Sequence, residues 1–199
     1  MNDLERRLRV EKYKENKEIE QAVEVIKKSA VDFACAVVFV ALHDKYGFGR
    51  YRFKKMFDFY EALPENLTPK DLDGWKSELM QYGFNARLNE HIASRLQKPF
   101  GKRHNKLILE LASKCMDACI VIIFITLMRL YNWRGKRIKD LQRYVNTNAL
   151  AIGKNEVTIW EFMKCLNLQC GLNFDELDEW EKVHGEVYIL LNPVYGKGE

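Results

Sequence analysis

Two halves of this sequence share one register: residues 29–60 align with residues 114–145 without a gap. The offset is 85 positions, as from Asp32 to Asp117, and it also pairs Trp75 with Trp160. The identical pairs within the aligned segments are Asp32/Asp117, Phe39/Phe124, Leu42/Leu127, Tyr46/Tyr131, Arg52/Arg137 and Lys54/Lys139. Two unrelated apolar helices followed by amphipathic ones would align in part, but they would not keep one register this far. The repeat therefore predicts a unit that is present twice.

Each unit begins with an apolar helix that ends near Tyr46 in the first copy and near Tyr131 in the second. A break follows, Gly47-Phe48-Gly49 in the first copy and Asn132-Trp133-Arg134-Gly135 in the second. Glycine and asparagine adopt the left-handed conformation that ends helices. A basic amphipathic helix comes next, so the sequence predicts a helix–break–helix junction in each unit.

A third helix is predicted in each unit from its start signal. Thr68 is followed by Pro69 and by an acid at the third position, and Thr158 precedes Glu161 at the spacing of a capping box. The Val/Ile-rich stretch Ile120–Thr126 would suit a strand on propensity alone. Its counterpart Ala34–Leu42 contains three alanines, and one fold must serve both copies, so we predict helix.

The fold class predicted from these features is all-α, built from two tandem pseudo-symmetric helical repeats with a charged N-terminal helix that runs into the first apolar helix. The predicted segments are an N-terminal helix over 1–28, repeat 1 over 29–106, repeat 2 over 107–191 and a tail over 192–199. Asp32 and Asp117 are predicted to cap the starts of the apolar helices, where an acid is favoured by the helix dipole. The two apolar helices are expected to pack together about a local twofold axis.

Composition excludes several classes of protein. Five cysteines without a CxxC pair predict free thiols in a reducing cytosol rather than disulfides or a zinc site. The apolar runs Phe33–Leu42 and Ala118–Met128 are shorter than the roughly 20 residues that span a bilayer, so we expect no membrane segment. The net charge is only +4, but it is unevenly distributed. Basic segments are Lys45–Lys55, Arg95–Lys106 and Arg129–Arg143, and Asp175–Glu186 is acidic.

The junctions are the candidate binding site. Cations directly after a helix start are not favoured by the dipole, whereas free backbone N–H groups together with Arg and Lys suit an anion, phosphate in particular. Phe48 and Trp133 would stack on a base there. The candidate ligand-binding residues are Arg50, Arg52, Lys54, Phe48, Trp133, Arg134, Arg137 and Lys139. The alternative is that these are solvated charges flanking aromatic residues that pack on the core.

No pattern for catalysis, a metal or a cofactor is present. His43 and Asp44 look like an acid–base pair, but neighbours on a helix point about 100° apart, and their counterparts are Met128 and Arg129. The sequence lacks GxSxG, Walker A and HExxH motifs. We therefore expect a non-enzymatic protein without cofactors, and an enzyme of an unrecognised class is the remaining alternative.

One segment carries a resemblance. Leu42-His43-Asp44-Lys45-Tyr46-Gly47-Phe48-Gly49, followed by Arg52 and Phe53, resembles a segment of small uncharacterised helical proteins of phages and prophages of Firmicutes. The second copy departs from it at the histidine, the aspartate and both glycines. The resemblance implies a phage accessory protein in the bacterial host cytosol, acting on host defence or on phage gene expression. It implies no activity and no catalytic residue.

Two binding functions follow as expectations. The first is binding of an anionic ligand, either nucleic acid or a nucleotide-type signal, at the basic–aromatic junctions, with counter-defence as the biological role. The second is a protein-interaction inhibitor or regulator that docks on a host or phage protein, since the chain has both basic and acidic segments. The same charge distribution would support a homodimer.

Overall fold

The computed structural model describes residues 3–64, 67–85 and 105–189, and within these ranges it is all-helical, with seven helices and no strands. The helices are α1 (Asp3–Tyr46), α2 (Arg50–Glu61), α3 (Pro69–Gln81), α4 (Asn105–Leu130), α5 (Gly135–Gly153), α6 (Ile159–Cys170) and α7 (Asp175–His184). The all-α prediction is confirmed. The predicted tail over 192–199, and the basic segment Arg95–Lys106 up to residue 104, lie outside the described residues.

The helix start signals predicted from sequence are present in the structure. Thr68 and Thr158 each form a capping box, in which the threonine side chain accepts from the backbone of the third helical residue while that residue's carboxylate accepts from the threonine backbone. The stretch Ile120–Thr126 lies within α4 and is helical. α1 continues without a break across residue 28, so the charged segment and the first apolar helix form one helix.

The predicted capping role of Asp32 and Asp117 is wrong, because both residues lie well inside α1 and α4 rather than at their starts. Asp32 instead meets the first turn of α7, where it accepts a hydrogen bond from the backbone N–H of Glu176. Burial there, together with the negative charges of Glu176 and Asp175, raises the pKa of Asp32 to about 6.

α1 and α4 pack against each other and form the centre of the protein. Each of them also packs on the two helices that follow the other: α1 contacts α5 and α6, and α4 contacts α2 and α3. The largest fully buried side chains come from these central helices and their partners, among them Phe39, Leu42, Phe124 and Leu127. The C-terminal ends of α1 and α4 therefore emerge close together.

The matched register ends after the second helix of each half. The capping residues Thr68 and Thr158 are 90 positions apart, not 85, because α5 is seven residues longer than α2 and the connection after it is two residues shorter. As a result Trp75 lies in the middle of α3, while Trp160 is the second residue of α6. The 85-residue offset therefore pairs two tryptophans that occupy different positions in their helices.

Among the described residues, the segment Glu110–Leu130 of α4 is long and apolar enough to cross a membrane by length and composition. It is longer than the run Ala118–Met128 from which we expected no such segment. The fold buries 61% of the most apolar part of this segment. The core helix of a folded protein can be equally long and apolar. Length and composition therefore do not separate a spanning helix from a core helix here.

Candidate ligand-binding cleft between two helix junctions

The two helix–break–helix junctions have the same backbone course. Gly47 and Asn132 both adopt the left-handed conformation, with φ of 63° and 53°. Gly49 and Arg134 are both extended N-cap residues, with φ of −112° and −142°. The predicted helix-ending role of Gly47 and Asn132 is confirmed, since asparagine is among the few residues that tolerate this conformation.

The same hydrogen bond closes each junction. The Phe48 N–H donates to the Leu42 carbonyl at 3.2 Å, and the Trp133 N–H donates to the Leu127 carbonyl at 3.3 Å. Each bond turns the chain so that the aromatic side chain points inward, leaving Phe48 1% and Trp133 4% exposed. Both rings are therefore structural parts of the core, and neither offers a free face large enough for the base stacking that the sequence suggested.

Four aromatic rings join the junctions to each other. Phe48 lies against Tyr131 with ring centroids 5.2 Å apart, and Trp133 lies against Tyr46 at 4.6 Å. Phe48 and Trp133 meet edge to face at 6.0 Å. The contacts are reciprocal: the buried ring of each junction packs on the tyrosine at the start of the other junction. Such offset and edge-to-face pairs are the favoured aromatic geometries.

An exposed arginine lies over each buried ring. The Arg52 Cζ is 5.2 Å from the Phe48 ring centroid, and the Arg137 Cζ is 5.9 Å from the Trp133 centroid, distances typical of cation–π contacts. Arg52 also donates from Nη1 to the Tyr46 carbonyl at 2.8 Å, at the C-terminal end of α1. Within the described ranges, neither guanidinium forms an ion pair with a carboxylate.

These side chains enclose a cleft of about 350 Å³, which we call the junction cleft. Its lining residues are Tyr46, Phe48, Arg52, Tyr131, Trp133 and Arg137. The lining contains two cations, four aromatic rings and no acid. Outside the lining, the charge of Asp140 adds to burial in raising the pKa of Tyr46, and Asp140 is itself paired with Arg143 at 3.3 Å. The cleft is therefore a positively charged, aromatic-walled recess.

The tyrosines are the accessible aromatic surface of the junction cleft. Tyr46 and Tyr131 are half-buried, and burial raises the pKa of both, so their hydroxyls stay neutral at physiological pH. The Tyr131 hydroxyl donates to the Arg52 carbonyl at 3.0 Å. Neither tyrosine is among the binding residues predicted from sequence. The signal that could have identified them is that both positions, 85 residues apart, are tyrosine.

Arg134 is placed outside the junction cleft by its hydrogen bonds. Its Nη1 donates to the carbonyls of Met128 at 2.8 Å and of Trp133 at 2.7 Å, and its guanidinium lies over the Tyr82 ring. These bonds satisfy carbonyls at the C-terminal end of α4, where a helix leaves acceptors without intrahelical donors. Arg134 therefore holds the junction together.

The other three candidate cations also point elsewhere. Arg50 runs beside Gly171 at the C-terminal end of α6. Lys139 packs closely against Gly83, which follows α3. Lys54 is exposed on α2 and does not line the cleft. Of the eight residues predicted from sequence, the structure brings together Phe48, Arg52, Trp133 and Arg137.

Among the described residues, His43 has surroundings that resemble catalytic geometry. Its Nδ1 is 3.3 Å from the Cys170 Sγ, and its Nε2 is 2.6 Å from the Gln169 Oε1, so a thiol, an imidazole and an amide follow in order. However, Cys170 is 1% exposed, burial raises its pKa to about 11, and Nδ1 also lies 2.8 Å from the Phe48 carbonyl. A thiol that is only 1% exposed is closed to a substrate, so this cluster ties the end of α1 to α6.

Within the parts of the chain that the structure describes, no group of three His, Cys, Asp or Glu side chains could hold a metal ion. Comparisons with family models, with curated proteins and with solved structures find no match for this chain. The function of the junction cleft therefore has to follow from the chemistry of its own residues.

Proposed function

We propose that this protein is a non-enzymatic binder of a nucleotide-type anion and that the junction cleft is its binding site. The observation that carries the proposal is a pair of arginines, Arg52 and Arg137, held over aromatic rings in a cleft whose lining has no carboxylate. Small-molecule sites occupy about 300–1,000 Å³, and the cleft volume of about 350 Å³ lies within that range, at its lower end. A duplex nucleic acid would require a broader surface.

The two residue types in the cleft have separate roles in this proposal. Guanidinium groups bind phosphate through paired N–H donors, and contact with an aromatic ring holds the guanidinium plane in place. The half-exposed rings of Tyr46 and Tyr131 supply apolar surface for a base or ribose. The buried rings of Phe48 and Trp133 contact the guanidinium groups of Arg52 and Arg137 and support them from the core side. A ligand that has both phosphate and a ring would use both kinds of contact.

We also infer that the two junctions are copies of one duplicated unit. The 85-residue register, the matched left-handed residues and the reciprocal ring contacts support this inference. A ligand entering along the local axis would then meet one arginine and one tyrosine on each side. This arrangement favours a ligand with two phosphates, such as a cyclic dinucleotide, over one with a single phosphate.

A binder without catalytic groups removes its ligand from solution rather than consuming it. We propose on this basis, and on the resemblance of residues 42–53 to phage accessory proteins, that the protein sequesters a nucleotide signal of host defence in the bacterial cytosol. A supporting result would be an absorbance ratio at 260 and 280 nm, measured on protein purified from a bacterial host, that is higher than the tyrosine and tryptophan content explains.

The decisive experiment is calorimetric titration of the full-length protein with a cyclic dinucleotide, a nucleoside monophosphate and a single-stranded oligonucleotide. Arg137→Ala should weaken binding of the preferred ligand, and Lys136→Ala, the neighbouring exposed cation outside the cleft, should not. Arg52→Ala and Lys54→Ala form the same kind of pair on α2. The proposal fails if the wild type binds none of the three probes, or if both arginine variants bind as the wild type does.

A second readout is intrinsic fluorescence, because Trp133 lies at the base of the junction cleft. Ligand binding should change its emission, and Trp133→Phe should remove that change while calorimetric binding persists. If instead a pull-down from host lysate recovers one stoichiometric protein that nuclease does not release, and the cleft variants have no effect on it, the protein-interaction alternative is the better account.

A further inference from the structure

A second cavity lies about three helical turns before the junction cleft on both central helices. It has a volume of about 760 Å³ and a wall that is almost entirely apolar, with side chains from α1, α2, α4 and the segment after α2. Among its lining residues are three cysteines, Cys35 on α1 and Cys115 and Cys119 on α4. We call it the thiol cavity. None of the residues of the proposed nucleotide site takes part in it.

Two of these cysteines are neighbours across the α1–α4 interface. The Cys35 and Cys119 Sγ atoms are 3.6 Å apart, although the residues are 84 positions apart in sequence. Both thiols are free, and at this distance they form a weak S–H···S hydrogen bond. A disulfide has an S–S length of about 2.05 Å, so a bond requires the sulfurs to approach by roughly 1.5 Å.

We propose that Cys35 and Cys119 are a site of reversible oxidation at which hydrogen peroxide forms a disulfide between α1 and α4. The cavity gives a small uncharged oxidant a path to both cysteines, which line its wall and are partly exposed as residues. Cys115 lies one turn before Cys119 on the same wall, and it shows no sulfur contact with Cys35 among the described residues. It provides a matched control for access to the cavity without pairing.

The reaction balances with peroxide as the only co-reactant. One cysteine thiolate attacks a peroxide oxygen, the O–O bond breaks, and a sulfenic acid and hydroxide form. The second thiol then attacks the sulfenic sulfur, the S–O bond breaks, and its proton leaves with the hydroxyl as water. In total two thiols and one peroxide become a disulfide and two waters, with two electrons passing from sulfur to oxygen.

Two consequences distinguish this site from incidental oxidation. The Cys119 thiol and burial raise the pKa of Cys35, so little thiolate is present at neutral pH and the oxidation should accelerate as pH rises. The disulfide would close a loop across the two central helices and restrict the unfolded chain, so the oxidised protein should melt several degrees higher than the reduced protein. A reductant should restore the original melting temperature.

The test is peroxide treatment of the folded full-length protein, followed by alkylation of remaining thiols and peptide mapping without reductant. We expect an intramolecular peptide pair joining Cys35 to Cys119, lighter by two hydrogens, in the wild type and in Cys115→Ser. It should be absent from Cys35→Ser and Cys119→Ser. Sulfinic or sulfonic acid at these cysteines without the linked pair, or a link that involves Cys115 or joins two molecules, would overturn the proposal even if a serine variant folds poorly.

Discussion

The junctions over residues 46–54 and 131–139 have one backbone course but divide their hydrogen bonds differently. In the first junction Arg52 donates to the Tyr46 carbonyl and also lies over the ring of its junction. In the second, the carbonyls at the helix end are satisfied by Arg134, a residue whose counterpart is Gly49. Because Arg134 donates to these carbonyls, Arg137 does not have this structural role. Matched residues can therefore share a position in a cleft while only one of them also stabilises the fold.

The buried rings give the largest expected effect. Phe48→Ala and Trp133→Ala should each lower the free energy of unfolding by about 3–5 kcal/mol, because each removes a nearly fully buried aromatic side chain. Since the two rings touch, the double variant should lose less than the sum of the single losses. Urea unfolding of all three variants measures this. Strictly additive losses, or a large loss at one ring only, would mean that the junctions are not packed as one cluster.

Substitution of Arg52 or Arg137 gives the next largest expected effect. The two variants should lose binding to a similar extent but differ in stability. Arg137→Ala should weaken nucleotide binding about tenfold to hundredfold, as expected for loss of a charged hydrogen bond, with stability unchanged within roughly 0.5 kcal/mol. Arg52→Ala should weaken binding similarly and also lower stability by about 1 kcal/mol, because the Tyr46 carbonyl loses its donor. Calorimetry and thermal unfolding of both variants check this. Equal stability losses would contradict the assigned difference in role.

The left-handed residues offer a smaller comparison. Gly47→Ala should lower stability by about 1–2 kcal/mol, because its φ of 63° is unfavourable for a residue with Cβ, although there is room for the methyl group. Asn132→Gly should change stability by no more than a few tenths of a kcal/mol, since both residues tolerate this conformation. Urea unfolding measures both. A neutral Gly47→Ala would show that the first junction relaxes to another backbone course.

Asp32, one of the two matched aspartates, should have a smaller effect on stability than Gly47, and this effect depends on pH. The Asp32 pKa is raised from 3.8 to about 6, so the folded protein holds this proton more tightly than the unfolded chain does. Its contribution is absent below pH 3.8, becomes unfavourable as pH rises to about 6, and stays so above that. Because the side chain is half-exposed, Asp32→Asn should stabilise the protein by only about 1 kcal/mol at pH 7. Chemical unfolding at pH 3.5 should show no such gain; an equal gain at both pH values would exclude this titration as the cause.

The helices and their ends could be predicted because their causes are local. A capping box at Thr68 or Thr158 needs only residues three positions apart, and a left-handed helix end at Gly47 or Asn132 needs only the residue itself. The capping role of Asp32 failed because it assumed a helix start. The charged segment before it has no breaker, so the helix begins much earlier.

Four of the six residues that line the junction cleft could be predicted from sequence, but packing between distant residues placed the other four predicted residues outside it. Arg134 was chosen for its charge next to a break, but the Met128 and Trp133 carbonyls engage it. Lys139 is matched in sequence, yet it packs against Gly83, a residue that follows α3 and is far from Lys139 in sequence. No pattern within a single helix shows which neighbour a cation will meet.

Backbone preferences over a few residues are enough to predict the all-helical class, the position of both junctions and the left-handed residue that forms each of them. The contacts between the junctions come from the fold: each buried ring packs on the other junction's tyrosine, Arg52 and Arg137 share a cleft, and Cys35 faces Cys119. These contacts depend on how α1 and α4 cross, and that crossing is set by the packing of whole helix surfaces rather than by any local segment.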